Sequence, residues 1–382
     1  MAGHADVIVV GGGVIGATTA WQLAERGADV LLLERGALAS GATRRSQGLL
    51  LAPDHPPLDP LFAESNRLYD ELADRSGIDL SLDREPVGTL FLATDDAQLE
   101  LLAGQPRAQG RLLDRDQVLA EEPELAADVA GGLLVASGRR SDPSALTAAA
   151  ASLARESGAR VRCHVEVKAL GDGSVLTDEG VERAGTVVLA AGAWSRPLAR
   201  SAGFELAVRP VRGWLAVTAP VPPLLRHVVY EADYAAPDGP QPGEPVRMAD
   251  LAAGDLAELG AGSAQASGIH QNADGTIMVG ATRSAALRDG DESARALRDC
   301  VARACRLMPA LAGCEVATTW TGLRPFSPDG LPHIGHLGDR LVVCAGHGSE
   351  GILTGAGSGR LAAELALGVL PHTDPAPFAP GR

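Results

Sequence analysis

Three glycines near the start of the chain have the spacing of a phosphate-binding turn. Gly11, Gly13 and Gly16 follow the apolar run 7–10, which suits a buried parallel strand, and a helical pattern comes after them. In such a turn the first glycine permits the tight bend, the second lets a pyrophosphate approach the backbone, and the third lets helix and strand pack closely. The helix N-terminus then offers free N–H groups and a positive dipole end to the phosphates.

An acidic residue at the end of a second apolar run completes this pattern. Glu34 follows the run 30–33 and lies 34 − 11 = 23 residues after Gly11. About 20 residues is the expected spacing for a carboxylate that accepts a hydrogen bond from a ribose hydroxyl. Strand, turn, helix, strand and acid together predict a dinucleotide site, and the alternative is a glycine-rich structural turn. The acid disfavours NADP, so NAD and FAD remain.

Composition excludes several other classes of protein. The 382 residues suggest two or three domains, and the net charge of −15 gives no electrostatic argument for binding nucleic acid or an anionic membrane. No apolar run approaches the ~20 residues of a membrane span. The first predicted strand begins at Asp6, which leaves no room for a signal peptide. Five cysteines without a CxxC pair favour free thiols, no metal and a reducing compartment, so we expect a cytoplasmic protein.

The middle of the chain alternates predicted strands and helices, two of which have clear start signals. Asp114 and Gln117 have capping-box spacing. Asp142 and Pro143 suit the N-cap and the first position of the next helix. The predicted strands are 87–93, 131–135, 159–170, 173–177, 186–191 and 208–217, and the predicted helices are 61–76, 95–102, 114–122, 143–157, 250–262 and 293–308.

Two segments after residue 218 have other patterns. The segment 219–246 is rich in proline and glycine and predicts a long loop or lid that carries Tyr230 and Tyr234. The segment 268–280 alternates around a turn at Asn272–Gly275 and predicts a hairpin.

The end of the chain repeats the order of strand, glycine-rich turn and helix that is predicted at its start. The buried strand 341–345 leads into the glycine-rich turn 346–351 and then the predicted helix 352–367. Pieces of a nucleotide-binding domain therefore occur at the start, middle and end of the chain. We predict an α/β fold with a Rossmann-like domain of three segments and an inserted α+β domain with a mixed or antiparallel sheet. The predicted ranges are 1–84, 143–209 and 318–382 for the first domain, and 85–142 and 210–317 for the second.

These segments resemble the D-amino-acid-oxidase-type FAD-dependent oxidoreductases, with glycine oxidase and sarcosine oxidase nearest in style. The resemblance covers nearly the whole chain in the family's order and is more specific than the glycine motif alone. The matching segments are DVIVVGGGVIGATTAWQLAERGADVLLLERG, SGAT at 40–43, EVKAL at 166–170, TVVLAAGAWS at 186–195, RPVRG at 209–213, GLRPFSPDGLPHIG at 322–335 and GHGSEGI at 346–352.

The resemblance implies FAD in an elongated form. Sarcosine oxidases attach flavin through a cysteine, and Gly322 occupies the matching position here, so noncovalent FAD is expected. The implied cofactor residues are Gly11, Gly13, Val14, Ile15 and Gly16 at the pyrophosphate, Glu34, Arg35 and Val167 at the adenosine, Ala191, Gly192 and Trp194 near the phosphates, and Thr43, Arg44, Gly48, Leu49, Leu50, Arg324, Gly348, Ser349, Glu350, Gly351 and Ile352 on the flavin side.

The reaction implied by the resemblance is hydride transfer from an amine-bearing carbon to flavin N5, followed by hydrolysis of the imine and reduction of O₂ to H₂O₂. Arg324 matches the arginine that binds the substrate carboxylate, although a structural arginine on a turn is the alternative. Tyr230 and Tyr234 are candidates for a nearby hydroxyl, or else pack in the lid. His270 lies on a strand expected to face the flavin, or else on the surface of a hairpin.

The chain departs from the family at two places. Glycine oxidases carry Arg-Asn in the last turn, where this chain has Ser349 and Glu350, which argues against free glycine as the preferred substrate. The hypothesis is that Glu350 meets a cationic or hydroxylated part of a larger amine, such as an N-substituted glycine or a cyclic amino acid. The alternative is that it only stabilises the first turn of the helix.

Oxygen use is the second departure. Sarcosine oxidases use a lysine above the flavin, but the single lysine here, Lys168, falls on the adenosine side. Either another cation assists O₂, or the protein is a dehydrogenase or the flavin subunit of a hetero-oligomeric oxidase. An NAD-only dehydrogenase is a further alternative, weakened by the last glycine turn. A homo-oligomer is compatible with the sequence.

Overall fold

The chain forms two compact units. The structure, a computed structural model, describes residues 4–53, 55–104, 110–232, 267–282 and 291–382. Unit 1 comprises Met1–Leu82, Ser141–Pro210 and Leu323–Arg382, and unit 2 comprises Asp83–Arg140 and Val211–Gly322. The functional roles predicted for the two parts of the chain stay predictions.

The described elements are as follows. The strands are β1 (His4–Val10), β2 (Val30–Glu34), β3 (Leu49–Leu50), β4 (Thr89–Ala93), β5 (Arg111–Asp114), β6 (Gly131–Val135), β7 (Arg139–Arg140), β8 (Arg160–Cys163), β9 (Val167–Gly171), β10 (Ser174–Thr177), β11 (Val181–Leu189), β12 (Arg209–Thr218), β13 (Val228–Glu231), β14 (Gly268–Gln271), β15 (Ile277–Gly280), β16 (Val316–Phe326), β17 (His333–Gly338) and β18 (Leu341–Ala345). The helices are α1 (Val14–Glu25), α2 (Asp59–Arg75), α3 (Asp96–Ala103), α4 (Arg115–Glu121), α5 (Pro143–Glu156), α6 (Ser195–Ser201), α7 (Asp291–Leu307) and α8 (Gly355–Leu367).

Unit 1 is built on a sheet whose central strands are parallel. The strand order is β17-β18-β11-β1-β2-β8, and each pair from β18 to β8 is parallel. Strand β17 pairs antiparallel with β18, while β10 pairs antiparallel with β11 and β9. The carboxyl ends of the parallel strands therefore lie along one edge of the sheet.

Both faces of this sheet are covered, which explains the uninterrupted apolar runs. Val7 and Val9 pack in one apolar cluster, whereas Ile8 and Val10 pack in a second cluster on the other face. Successive side chains of a strand point to opposite faces, so a strand buried on both sides needs apolar residues at every position.

Close helix packing on one face depends on small residues. A Cβ on Gly357 would lie 2.3 Å from the carbonyl oxygen of Leu61 in α2, and a Cβ on Gly359 would lie 2.9 Å from that of Ile15 in α1. Helix α8 therefore lies against α1 and α2 at backbone distance because its glycines lack side chains.

Unit 2 has a separate sheet and core. Its strand order is β16-β12-β15-β14-β13-β4-β6-β5. Strands β14 and β15 form the predicted hairpin, with Ile269 opposite Val279. The predicted α/β fold class with a mixed sheet in the inserted part is confirmed, since β13 pairs parallel with β4 and antiparallel with β14.

Local capping signals were reliable, but two element boundaries were wrong. Asp114 and Gln117 form the capping box, and the Asp142 side chain accepts from the first-turn amides of α5. The predicted strand 159–170 is two strands, because the chain turns at His164, whose φ is +61°. The last helix begins at Gly355 rather than at residue 352, since residues 350–354 form turns.

Some predictions fall on the parts of the chain outside the described residues. These are Tyr234, the predicted helix 250–262 and residues 233–246 of the predicted lid. The prediction of one long loop over 219–246 is wrong in its described part, because Val228–Glu231 pairs in the sheet as β13 and carries Tyr230. Within the described ranges, every helix is too short or too polar to span a lipid bilayer.

Candidate functional site

Four connections follow the carboxyl ends of neighbouring parallel strands in unit 1. Strand β18 leads to Gly346, β11 to Ala190, β1 to Gly11 and β2 to Arg35. Neighbouring strands lie ~4.8 Å apart, so the row extends over roughly 14 Å. Ligands of open α/β sheets bind outside the carboxyl ends of the strands. This row, the carboxyl-end row, is therefore the candidate site.

The three motif glycines have the structural roles that the spacing predicts. Gly11 has a φ of +111°, and a Cβ on Gly16 would lie 1.9 Å from the Gly11 carbonyl oxygen. A Cβ on Gly13 would have only one neighbour among the described atoms within 4 Å, the Thr43 hydroxyl at 3.0 Å. Gly11 and Gly16 are thus required by the chain itself, whereas Gly13 leaves the helix start accessible.

The start of α1 is free to bind an anion. Its N-cap, Gly13, provides no side-chain acceptor, and the first turn contains no acidic residue. The Thr43 hydroxyl accepts a hydrogen bond from the Val14 amide at 3.2 Å. The positive dipole end and the remaining first-turn amides of Ile15 and Gly16 suit a pyrophosphate.

Glu34 is held in place by the backbone on both sides. One carboxylate oxygen accepts from the Gly12 amide at 2.6 Å, and the other accepts from the Gly36 amide at 2.8 Å. A carboxylate oxygen can accept more than one hydrogen bond, so Glu34 retains acceptor capacity for a ribose hydroxyl. The structure therefore orients this side chain without any ligand.

Arg35 and Trp194 contact each other although 159 residues separate them in sequence. The Arg35 guanidinium carbon lies 3.5 Å from the centroid of the Trp194 ring. Such a cation–π contact fixes the position of an otherwise flexible arginine. Val167 lies near this end of the row, since the Val165 amide donates to the Glu34 carbonyl. The roles predicted for Arg35 and Val167 at the adenosine stay predictions.

The connection that follows β2 is anchored just before the start of α5. Gly48 has a φ of +72°, and its carbonyl accepts from the Ser141 amide at 2.9 Å and the Ser141 hydroxyl at 2.8 Å. Leu49 and Leu50 are buried, and Arg44 is exposed. Gly192 has a φ of +55°, with open space where a Cβ would lie, and it adjoins Ala191 at the end of β11.

The last turn of the row is tied to the end of β16. Phe326 and His347 form an isolated antiparallel bridge, and the Gly348 amide donates to the Pro325 carbonyl at 2.8 Å. Arg324, on β16, is two residues from this bridge. The structure therefore brings the predicted carboxylate-binding arginine into the same unit and neighbourhood as the turn 346–351.

Two residues that sequence analysis missed support this turn. The buried Tyr69 hydroxyl donates to the Ile352 carbonyl at 2.6 Å, and the Ser65 hydroxyl accepts from the Gly357 amide at 2.8 Å. Burial raises the pKa of Tyr69, so its hydroxyl remains a donor. Nothing in the sequence around residue 69 signals a partner 283 residues away.

Several buried polar atoms at this turn lack a hydrogen-bonding partner among the described residues. They are both ring nitrogens of His347 and the Ser349 hydroxyl oxygen. Burial, followed by repulsion between the protonated forms of His347 and His333, lowers the pKa of His347 to about 3, so its imidazole is neutral. Buried polar groups are nearly always bonded, so this cluster suits a polar ligand. Glu350 is also buried here, and Gly351 and Ile352 follow it.

The residues of the carboxyl-end row fit FAD. Free helix amides suit the pyrophosphate, the oriented Glu34 suits the ribose, and the polar atoms at the Gly346 turn suit the edge of a flavin. The described residues contain no group of three His, Cys, Asp or Glu side chains that could hold a metal ion.

The two described candidates in unit 2 are both buried. The Tyr230 ring stacks on Phe91 with centroids 6.1 Å apart and lies over Gly268, where a Cβ would come within 2.1 Å of it. His270 is completely buried beside the Asp83–Arg140 ion pair, and burial, followed by the charge of Arg140, lowers its pKa to about 4. His270 is therefore not a surface residue of the hairpin.

Comparison with known proteins extends over nearly the full chain. The chain is 32% identical to a glycine oxidase of Geobacillus kaustophilus (98% of this chain, 96% of the relative) and 32% identical to one of Pseudomonas putida (98% of each). The crystal structure of the Geobacillus enzyme superposes with a TM-score of 0.83 at 29% identity, covering 99% of each chain. The FAD dependent oxidoreductase family matches residues 6–365. The chain belongs to the FAD dependent oxidoreductase family, which confirms the predicted family and cofactor.

Proposed function

We propose that this protein is an FAD-dependent oxidase of the C–N bond of an amino acid, with a glycine-like or N-substituted amino acid as substrate and O₂ as acceptor. The observation that carries the proposal is full-length similarity to several glycine oxidases, with the binding residues of unit 1 gathered along one sheet edge. When bound, FAD supplies the hydride acceptor for the carbon that bears the amine, and water hydrolyses the resulting imine.

The chain's own part in this reaction is binding and orientation. Arg324 is the proposed ligand of the substrate carboxylate, because its planar guanidinium matches a carboxylate in a bidentate geometry. It lies on the strand that is joined to His347 through Phe326. The neutral His347 contributes hydrogen bonding and no positive charge, since its pKa is lowered to about 3.

Glu350 is the proposed determinant of substrate class. It is buried at the turn, and its backbone carbonyl accepts from the Thr354 amide at 3.0 Å and the Thr354 hydroxyl at 2.7 Å. These bonds fix the backbone of Glu350 and thereby its position. A buried carboxylate at a substrate site favours a substrate with a cationic or hydroxylated group, such as an N-substituted glycine.

A second candidate is an enzyme that passes electrons to an acceptor other than O₂, or a flavin subunit of a hetero-oligomer. Lys168 is exposed on β9, which lies outside the row of parallel strands. It therefore gives no support to a lysine-assisted reaction with O₂. The chain is also 28% identical, over 99% of its length, to the hydrogen cyanide synthase subunit HcnC of Pseudomonas aeruginosa.

The test is a substrate panel applied to the protein expressed alone. Glycine, N-methylglycine, other N-alkyl glycines, D-amino acids and cyclic amino acids are mixed anaerobically with the holoprotein, and flavin bleaching is recorded. Bleaching by at least one amino acid, followed by stoichiometric H₂O₂ on admission of air, is expected. Bleaching without H₂O₂ but with dye reduction would reject the oxidase, and no bleaching by any member would reject amino-acid oxidation.

Two further properties belong to the proposal. A cytoplasmic location is supported by five free cysteines and by the absence of a membrane-spanning helix among the described residues. Gel filtration of the isolated protein tests whether it is a homo-oligomer. A yellow, active species without a partner supports the independent enzyme over the subunit of a hetero-oligomer.

A further inference from the structure

Arg209 is a partly buried cation whose side chain has no carboxylate partner among the described residues. It is the first residue of β12 and belongs to unit 1. Its Nε atom is inaccessible to solvent, and the part of the chain that the structure describes provides the Arg209 side chain with neither a hydrogen bond nor an ion pair. Burial lowers the pKa of Arg209.

Two other partly buried arginines of the chain, Arg140 and Arg360, have acidic partners. Arg140 donates to both carboxylate oxygens of Asp83 at 2.8 and 2.9 Å, and Arg360 lies 2.7 Å from both Glu64 and Glu364. A buried charge that lacks a partner destabilises the folded chain. The isolation of Arg209 therefore needs an explanation other than stability.

The position of Arg209 offers an explanation for its lack of an acidic partner. Its guanidinium carbon lies 5.8 Å from the centroid of the Phe326 ring. That ring also faces the last turn of the carboxyl-end row, since a Cβ on Gly348 would lie 3.2 Å from two of its carbons. Phe326 thus contacts both the guanidinium and the turn, and the side chain of Val208, the residue before Arg209, would lie 3.2 Å from a Cβ on Gly346. The turn also contains the Ser349 hydroxyl, which lacks a partner among the described residues.

The neighbouring imidazoles cannot replace this charge. Burial, followed by repulsion between the protonated forms of His347 and His333, lowers the pKa of His347 to about 3, and burial, followed by the charge on Arg382, lowers the pKa of His333. Both rings are neutral at pH 7. Arg209 therefore adds a fixed positive charge at the same end of the row as Arg324.

We propose that Arg209 is an anion-binding residue that holds a small delocalised organic anion at the Gly346–Glu350 turn. Two sources share this chemistry: the carboxylate of the amino-acid substrate and the pyrimidine end of the reduced cofactor. The naming of these two sources rests on the proposed function, whereas the anion site rests on the isolation and position of the guanidinium.

The first arm of the test measures carboxylate binding without turnover. Oxidised holoprotein is titrated with methoxyacetate, which has the shape of N-methylglycine but no oxidisable amine, and the flavin absorbance change is recorded. Arg209→Leu is expected to weaken binding about tenfold to a hundredfold, the usual loss for a charged hydrogen bond. Arg209→Lys keeps the charge and is expected to bind between Arg209→Leu and wild type.

The second arm measures the reduction potential of the ligand-free holoprotein against redox dyes. If the anion belongs to the reduced cofactor, Arg209→Leu lowers the potential, by about 30 mV for each tenfold loss in relative binding of the reduced form. A lower reduction potential with unchanged methoxyacetate binding identifies the reduced cofactor as the anion that Arg209 binds. Weaker methoxyacetate binding with an unchanged potential identifies the substrate carboxylate as that anion. Neither arm of the test requires turnover. Failure of the proposed amino-acid oxidation would therefore be detected in the substrate panel without changing the outcome of either arm.

Arg200→Leu is the matched control. Arg200 lies in unit 1 and bonds to Glu205 at 3.0 Å, so its loss is expected to leave both measurements unchanged. The melting temperature of the cofactor-free protein gives an independent readout, and Arg209→Leu is expected to leave it unchanged or raise it. The proposal is overturned if folded Arg209→Leu has the same methoxyacetate affinity and the same reduction potential as wild type. It is also overturned if both Arg209→Leu and Arg209→Lys lower the melting temperature of the cofactor-free protein.

Discussion

Replacing Gly16 by alanine should destabilise the cofactor-free protein, whereas replacing Gly13 by alanine should leave its stability nearly unchanged. At Gly16 the new methyl group would lie 1.9 Å from the Gly11 carbonyl oxygen, and the backbone must move by about 1 Å to bring that contact to 3.0 Å. Overpacking of this kind costs ~1–3 kcal/mol or more. We expect Gly16→Ala to lose at least that much free energy of unfolding because α1 is displaced from β1.

At Gly13 the same substitution meets one close side-chain contact and no backbone collision. The new methyl group would have a single described neighbour within 4 Å, the Thr43 hydroxyl at 3.0 Å, and the backbone angles of −79° and −179° are accessible to alanine. A weaker N-cap costs up to ~1 kcal/mol and the stiffer unfolded chain offsets ~0.4–1 kcal/mol. We expect a change in unfolding free energy of less than about 1 kcal/mol, with FAD affinity at least a hundredfold lower, or ~2.7 kcal/mol.

The assay separates the two effects. Cofactor-free protein is unfolded in urea and followed by circular dichroism, and FAD affinity is measured by quenching of flavin fluorescence. Gly313→Ala is the control, because Gly313 lies outside the row, has no positive φ and has nothing within 4 Å of an added Cβ. Wild-type FAD affinity in Gly13→Ala would contradict the assignment of the open space to a phosphate. Wild-type stability of cofactor-free Gly16→Ala would contradict the packing argument.

Three further predictions follow from charged and buried side chains. Because the pKa of His270 is about 4 in the folded protein and 6.5 when unfolded, the unfolded chain binds more protons between these values, and stability falls as pH drops through this window. The urea midpoint of His270→Phe should depend less on pH between 6.5 and 4, and an unchanged slope would refute the assignment. Glu64 accepts from Arg67 and Arg360; burial raises its pKa, but these bonds lower it overall, so the stability it provides is present above pH 4.5 and lost below. Glu64→Gln should cost about 1 kcal/mol in low salt and less in 1 M NaCl, measured by urea unfolding, and equal losses at both salt concentrations would argue against an ion-pair origin. Glu350→Gln should lower kcat/KM for amines with cationic or hydroxylated substituents relative to glycine, and an unchanged profile across the panel would remove Glu350 as a specificity determinant.

Features encoded by a few neighbouring residues were predictable. The strand, glycine turn, helix and strand pattern occurs in the structure as β1, the turn at Gly11–Gly13, α1 and β2, and Asp114 and Asp142 marked two helix starts correctly. Such signals depend on backbone angles and hydrogen bonds within one turn, so the local sequence contains all the partners. The predicted strand 159–170 was wrong because apolar alternation continues through His164, where the backbone turns.

The sequence alone determined where nucleotide-binding elements occur and to which family they belong, since these follow from short spacings and from motifs in a fixed order. Only the tertiary structure decided which distant residues meet: Arg35 on Trp194, Tyr69 on the Ile352 carbonyl, and His270 beside the Asp83–Arg140 pair. It also decided that Arg209 has no acidic partner among the described residues. Burial and charge compensation depend on the surroundings in three dimensions, which residue spacing along the chain does not specify.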